Sequence, residues 1–248
     1  METEVNVDGN TIEGSSTETT GEETNKDEKR KVIITFDMRL NDFRSALQIS
    51  YDDDEFRQFM EYYGYTKPRI EEGQAKITNA DTANKFKQDK KAEENAAYRE
   101  AEALREKANI TYMICVNSAR LAFKGNLEIL ELLGLFGRRK QSFGSWKAQV
   151  TRFFEKCLGS EQLQADLAKY NIALALLQKG QQELQEAVAA RDRAKRIKAD
   201  AEHATQLKNQ AFKEVLDWMK DFYKIVELAY KQNPQLKEKV NIVVPYLS

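Results

Sequence analysis

The chain has 248 residues, of which 32% are charged, with a formal net charge of −1 and only 11 glycines and 3 prolines. Few helix breakers among many charged residues are typical of long helices, and the length allows one large domain or two small ones. The near-neutral charge excludes a global attraction to nucleic acid or to an anionic membrane. No apolar run approaches the ~18 residues of a membrane span, and no secretory signal opens the chain, so we expect a cytoplasmic protein.

The first segment, residues 1–30, mixes acidic residues with serine and threonine and contains almost nothing apolar. Such a segment cannot bury enough apolar surface to offset the entropy of ordering, which predicts a disordered acidic tail. We interpret the tail as a solvated leader. A docking or phosphorylation tail is the alternative.

The rest of the chain contains an internal repeat. Shifted by 107 positions, residues 35–135 align with residues 142–242 without a gap, and recurring features are the signature of a repeat. The matches are Phe36 with Phe143, Tyr63 with Tyr170, Gly73-Gln74 with Gly180-Gln181, Leu121-Ala122 with Leu228-Ala229, and Asn126 with Asn233. We therefore predict a tail at 1–30, a first helical repeat at 31–141 and a second at 142–248.

The signals that start and stop helices also coincide between the repeats. Side chains that accept hydrogen bonds from free N–H groups occupy matching starts: Thr35 and Ser142, Asp53 and Ser160, and Asn126 and Asn233, the last followed by Pro234. Residues that tolerate a left-handed backbone occupy matching ends: Gly64 and Asn171, and Gly134 and Asn241. The spacing predicts four helices in each repeat, at 36–51, 54–63, 67–124 and 127–133, and at 143–158, 161–170, 172–231 and 234–240.

The two longest predicted helices carry a narrow seam of mostly small apolar residues at spacings of three and four, which in the middle of 172–231 includes Ala187, Ala190, Ala194, Ile197, Ala201 and Ala204. One such helix would span roughly 85 Å if it is unbroken, although a break near its middle stays open. A narrow seam favours a close two-helix contact, and short connections place neighbouring helices antiparallel. We therefore predict an all-α pseudo-twofold dumbbell, with a two-helix coiled-coil stalk between two bundles. One bundle combines 36–85 with 210–240 and includes Trp218, Phe222 and Tyr223; the other covers 105–190 and includes Trp146, Phe153 and Phe154.

Several residue groups could carry chemistry, and each has a simpler interpretation. The run Asp52-Asp53-Asp54 with Glu55 lacks the alternating ligands and glycine of an EF-hand, so we interpret it as helix capping. His203 is the only histidine in the sequence, and we interpret it as a surface residue. A di-iron bundle needs two Glu-x-x-His pairs, so a single histidine excludes that site. The glutamates that would otherwise suggest it are Glu93, Glu94, Glu100, Glu102 and Glu106. No organised nucleophile set surrounds His203.

Cysteines and basic runs receive similar interpretations. Cys115 and Cys157 lie in apolar helical stretches without nearby ligands, so we expect reduced core thiols. The basic runs occupy equivalent repeat positions but alternate with acidic residues, which is typical of a solvated face: Lys85, Lys87, Lys90 and Lys91, and Arg191, Arg193, Lys195, Arg196 and Lys198. The linker Arg138-Arg139-Lys140 is expected to be a solvated turn.

Two short β-branched segments flank the repeats, Lys31–Ile34 and Ile242–Leu247. We expect them to pack together as a clasp. The alternative is that one of them pairs with the edge of a neighbouring subunit.

These patterns assign no catalytic, cofactor-binding or metal-binding residue, and they favour a structural or scaffold protein over an enzyme. Protein partners or self-association are expected, because duplicated surfaces can bind in tandem. A carrier of an apolar ligand is the first alternative, motivated by the aromatic stretch Trp218–Tyr230. Contact between the basic runs and nucleic acid is the second alternative, although neither nucleic acid nor a membrane is an expected partner.

Overall fold

A computed structural model describes residues 34–137 and 142–245, and these residues are 86% helical with no β-strand. From Phe36 onward the chain forms one unit. Only Ile34 and Thr35 are described before it, so the predicted acidic tail and the linker Arg138–Lys140 lie outside the described residues. The helices of the described part are α1 (Phe36–Asp52), α2 (Asp54–Tyr62), α3 (Lys67–Ala122), α4 (Leu127–Leu132), α5 (Phe143–Leu158), α6 (Glu161–Ala168), α7 (Leu174–Gln232) and α8 (Pro234–Val240).

The helix starts follow the predicted capping residues. The Asp53 carboxylate accepts a hydrogen bond from the Phe56 N–H at 2.9 Å, and Ser160 accepts one from Leu163 at 3.3 Å. Asn126, Ser142 and Asn233 cap α4, α5 and α8 in the same manner. Each side chain satisfies an N–H group that has no partner within its own helix, which fixes where the helix begins.

The helix ends also match the predicted stop residues. Gly64 and Gly134 have φ values of 85° and 66°, and the non-glycine residues Asn171 and Asn241 have φ values of 63° and 50°. Four predicted helix ends, at residues 63, 124, 133 and 170, lie one or two residues beyond the observed ends. The helix expected at 161–170 ends at Ala168, where the N–H groups of Tyr170 and Ile172 both bond to the Leu167 carbonyl.

The long helices α3 and α7 are continuous over 56 and 59 residues, so neither has the break that the sequence left open. They pack against each other, with Gly73 beside Trp218, Glu100 bound to Arg193 at 2.7 Å, and Lys107 near Glu183 at 3.7 Å. Residue numbers rise on α3 as they fall on α7, so the helices run antiparallel where they touch. None of the helices in the described ranges is both long and apolar enough to cross a membrane.

Two separate hydrophobic clusters make up the core. The first combines buried residues of 40–80 with residues of 211–242, including Phe222 and Tyr223, and Trp218 packs on it half-buried. The second lies within residues 108–187 and includes Trp146, Phe153 and Phe154. Between the clusters, every buried residue of the two long helices is alanine except Asn84 and Glu94. Alanine allows two helix backbones to approach closely but buries little apolar area.

The C-terminal β-branched segment forms no strand in its described part, residues 242–245. Instead, the Ile242 N–H donates to the Tyr230 hydroxyl at 2.9 Å, and that hydroxyl donates to the Ile242 carbonyl at 3.2 Å. Ile242 is buried in the first cluster. The segment is thus held by a side chain of α7. Of its predicted clasp partner Lys31–Ile34, residues 31–33 lie outside the described residues.

Candidate functional surfaces

The acidic run at the start of α2 is a capping site that also contacts α8. The Lys239 ammonium binds the Asp53 carboxylate and lies 3.9 Å from Glu55, and the Asn233 amide donates to Glu55 at 2.9 Å. The bond from Lys239, followed by the bond from the Phe56 N–H, lowers the pKa of Asp53 below its ordinary value. The carboxylate of Asp53 therefore caps α2, as the sequence predicts, and the contacts of Asp53 and Glu55 with α8 are an additional finding of the structure.

The remaining metal-type residues lie apart from one another. His203 is exposed on α7. Glu100 binds Arg193, and Glu93 binds Lys90 at 2.8 Å. Residues 34–137 and 142–245 bring no three histidine, cysteine, aspartate or glutamate side chains together in a metal-binding group.

The two cysteines are free thiols at the centre of the second cluster. Cys115 and Cys157 are completely buried. Burial raises the pKa of each thiol to about 12, because an apolar environment disfavours the thiolate. Thiols with so little thiolate at neutral pH are poor nucleophiles, and both residues serve as core packing.

The basic runs are largely neutralised by neighbouring carboxylates. The observed pairs are Lys85 with Asp81, Lys90 with Glu93, Lys91 with Glu94, Arg193 with Glu100, Lys195 with Asp192, and Lys198 with Glu202. Arg191 stacks on the Tyr98 ring at 4.7 Å. Most of this positive charge is therefore already bound on the surface of α3 and α7.

The aromatic stretch of α7 fills the first cluster. Trp218 stacks on Phe222 with ring centroids 5.8 Å apart, and Tyr65 contacts both rings edge-on at 5.5 Å. Phe222 is fully buried. These rings pack on one another, which is the arrangement of a core rather than of a ligand cage.

Two surface grooves occupy corresponding places in the two halves of the chain. One groove, of about 410 Å³, lies between α5 and α7 over an apolar floor of Phe154, Leu184 and Val188. The other, of about 570 Å³, lies between α1 and α3. Four lining positions of the two grooves are 107 residues apart: Arg44 and Thr151, Gln48 and Glu155, Gln74 and Gln181, and Thr78 and Gln185. The side chains differ at three of these four positions, and only Gln74 and Gln181 are identical.

One buried charge stands out on α7. Glu183 is only 4% exposed, and one of its carboxylate oxygens has no hydrogen-bond partner among the described residues. The other oxygen lies 3.7 Å from the Lys107 ammonium and 3.9 Å from that of Lys179. A buried carboxylate with such long contacts is incompletely compensated, which costs stability.

Comparison with known proteins finds no matching family model, no matching curated protein and no matching solved structure.

Proposed function

We propose that this chain is a non-enzymatic scaffold or spacer, a tandem-duplicated dumbbell whose two end bundles present surfaces to protein partners. The observation that carries the proposal is the division of the core into two clusters, linked by two helices that bury almost only alanine between them. Such a link buries too little apolar area to be a third core, but it holds two bundles apart at a fixed distance.

Burial at the 107-residue spacing supports the duplication. Buried residues fall at matching positions throughout both repeats, including Phe43 with Val150, Leu47 with Phe154, Phe56 with Leu163, Met60 with Leu167, Ile77 with Leu184, Ala80 with Ala187, Cys115 with Phe222, and Leu133 with Val240. Matching burial without matching identity is expected of two copies that diverged while they kept one packing pattern.

The contacts between helices support the pseudo-twofold arrangement. The first helix of each predicted repeat packs on its own long helix, α1 on α3 and α5 on α7. The second helix of each packs on the other long helix, α2 on α7 and α6 on α3, as a twofold relation between the repeats requires. The paired grooves at α1–α3 and α5–α7 follow the same relation.

Small-angle X-ray scattering with in-line light scattering tests the proposal. A compact chain of this length has a radius of gyration of about 18 Å, whereas α7 alone would extend about 88 Å in a straight spacer. We expect a radius of gyration well above the compact value. A value near 18 Å for the monomer would contradict the scaffold proposal.

The alternatives receive less support. The aromatic residues that motivate an apolar-ligand carrier pack on one another, and native mass spectrometry showing extra bound mass would revive that function. Nucleic-acid contact would have to break the ion pairs of the basic runs, and salt-dependent binding to an oligonucleotide would be its signature. We also propose a cytoplasmic location, which buried free thiols at Cys115 and Cys157 fit because such compartments keep thiols reduced.

A further inference from the structure

The C-terminal half of α3 carries an exposed apolar stripe. Ile110, Ile114 and Leu121 are 55%, 51% and 63% exposed. At 100° per residue, the three side chains fall within about 40° of one another on a stripe about 17 Å long, and the exposed Asn117 lies on the same stripe between Ile114 and Leu121. Together they expose roughly 300 Å² of apolar surface, at the lower end of the patches that mark interaction sites on monomers. We call these three residues the α3 apolar face.

The fold does not require apolar residues at two of these positions. The residues 107 positions after Ile110 and Ile114 are Asp217 and Asp221, both exposed on α7. Asp221 binds Lys224 at 2.8 Å, as on any solvated helix. Because α7 packs with aspartates where α3 has isoleucines, the exposed isoleucines meet a requirement other than folding.

Charged residues at the two ends of the α3 apolar face indicate what covers it. Glu106 lies one turn before Ile110, and Lys124 lies in the turn after Leu121; both are exposed, and neither forms an ion pair in the described part of the chain. When two copies of the face are laid antiparallel with Ile110 opposite Leu121 of the second copy, Glu106 comes within one residue of Lys124 of that copy. Lys107 also comes opposite Lys124, but its ammonium lies 3.7 Å from both Glu183 and Glu186 of its own chain. A parallel arrangement would place like charges together at both ends.

We propose that the α3 apolar face binds the same face of a second copy of this chain, antiparallel and about a twofold axis. This inference rests on the proposed scaffold function and names one of its partners. The contact is isologous, so each ion pair and each apolar contact occurs twice. The two faces bury about 600 Å² of apolar surface, less than the 1,200–2,000 Å² of a standard stable interface, so the dimer forms reversibly and depends on concentration.

Sedimentation equilibrium of the full chain, from about 5 to 500 µM and at low and high salt, tests the proposal. We expect the mean mass to rise from 28.6 kDa towards twice that value, and less steeply at high salt. The double variant Ile110→Asp/Ile114→Asp installs the residues of the second repeat. It should weaken association at least tenfold while its helical circular dichroism stays unchanged. Leu207→Asp, which changes an exposed leucine far from this face, is the matched control and should associate like the wild type.

Charge reversal tests the antiparallel orientation. Glu106→Lys and Lys124→Glu should each weaken association, because each variant places like charges together at both ends of the interface. The double variant Glu106→Lys/Lys124→Glu should associate about as well as the wild type, since it exchanges the two charges of each pair.

Three results would overturn the proposal: a wild-type mass of 28.6 kDa at every concentration, association that survives Ile110→Asp/Ile114→Asp, or a double charge reversal that associates no better than either single variant. All three leave the scaffold function standing, because that function fails on a compact radius of gyration of the monomer instead.

Discussion

Replacement of Gly180 by alanine tests the close packing of α5 on α7. A Cβ atom at Gly180 would overlap the Phe154 ring. That ring is fully buried and is held by Phe153 and Tyr112, with ring centroids 5.3 and 6.1 Å away. Overpacking of this kind costs about 1–3 kcal/mol, whereas alanine gains about 1 kcal/mol over glycine inside a helix. We expect Gly180→Ala to lower the free energy of unfolding by up to about 2 kcal/mol.

Two other glycines serve as matched controls. A Cβ atom at Gly73 would lie 2.6 Å from the Trp218 ring, but Trp218 is only half-buried and can shift, so Gly73→Ala should cost less than Gly180→Ala. A Cβ atom at Gly144, in α5, would meet nothing within 4 Å. Gly144→Ala should therefore raise the free energy of unfolding, by up to about 1 kcal/mol.

Urea unfolding followed by circular dichroism at pH 7 measures all three variants by linear extrapolation. The variant Phe154→Leu gives a further test, because a smaller side chain makes room for the added methyl group. In that background Gly180→Ala should cost less than in the wild type. If Gly180→Ala stabilises the protein as Gly144→Ala does, the inferred close contact between Gly180 and Phe154 is wrong.

Three more predictions concern a cap, a buried charge and the thiols. Ser160→Ala removes the cap of α6 and should lower the free energy of unfolding by about 1 kcal/mol, whereas Ser160→Asp should preserve it. Glu183→Met removes a buried, poorly compensated carboxylate and should raise the free energy of unfolding by about 1 kcal/mol in the same urea assay. Burial raises the pKa of each thiol from an ordinary 9.0 to about 12, so the thiols of the unfolded chain ionise first as the pH rises. The stabilisation of the folded state by the protonated thiols is therefore complete below pH 9. Between pH 9 and pH 12 the free energy of unfolding should fall by about 1.4 kcal/mol per pH unit for each thiol. The variant Cys115→Ala/Cys157→Ala should lack that part of the alkaline slope.

Each of these predictions has a contradicting result. Equal stability of Ser160→Ala and the wild type would mean that the Ser160 side chain does not stabilise α6. A destabilised Glu183→Met would mean that the carboxylate stabilises the α3–α7 contact. Rapid reaction of either native thiol with a thiol reagent at pH 8 would contradict the burial of Cys115 and Cys157.

Local signals explain why the helices could be predicted from the sequence. A capping side chain such as Asp53 and a stop residue such as Asn171 act within one turn of the helix, so their effect can be read without knowledge of the tertiary structure. The bounds that were wrong lie where several backbone bonds compete. The helix expected at 67–124 ends at Ala122, because the N–H groups of Lys124 and Asn126 bond to carbonyls three residues back instead of four, and the chain turns through Gly125 with φ 89°.

Seam positions were predicted less accurately than helix bounds. Ile197 lies on the predicted seam of α7 but is only half-buried. Spacings of three and four identify a stripe, whereas the depth of each residue depends on the partner helix at that height. In the middle of α7 the partner is α3 alone, and a single helix covers only the alanines at the centre of the stripe.

The exposure of the α3 apolar face and the burial of Glu183 could not be predicted from the local sequence. The exposed face of Ile110 and Ile114 is apolar at helical spacing, which in a sequence is also the pattern of a buried stripe. Only the observed exposure, together with aspartates at the matching positions of the proposed second repeat, separates the two interpretations. Glu183 likewise resembles any surface glutamate in the sequence, because its burial results from packing of α3 against α7.

A distance measured along α7 tests the central claim, that a continuous helix holds two bundles apart. Spin labels on Gln182→Cys and Lys220→Cys occupy exposed positions, and the buried native thiols Cys115 and Cys157 should remain unlabelled. Double electron–electron resonance should give one narrow distance of about 57 Å, because 38 residues of unbroken helix rise 1.5 Å each. A distance below about 40 Å, as in a compact globule of this length, would contradict the spacer and the function proposed from it.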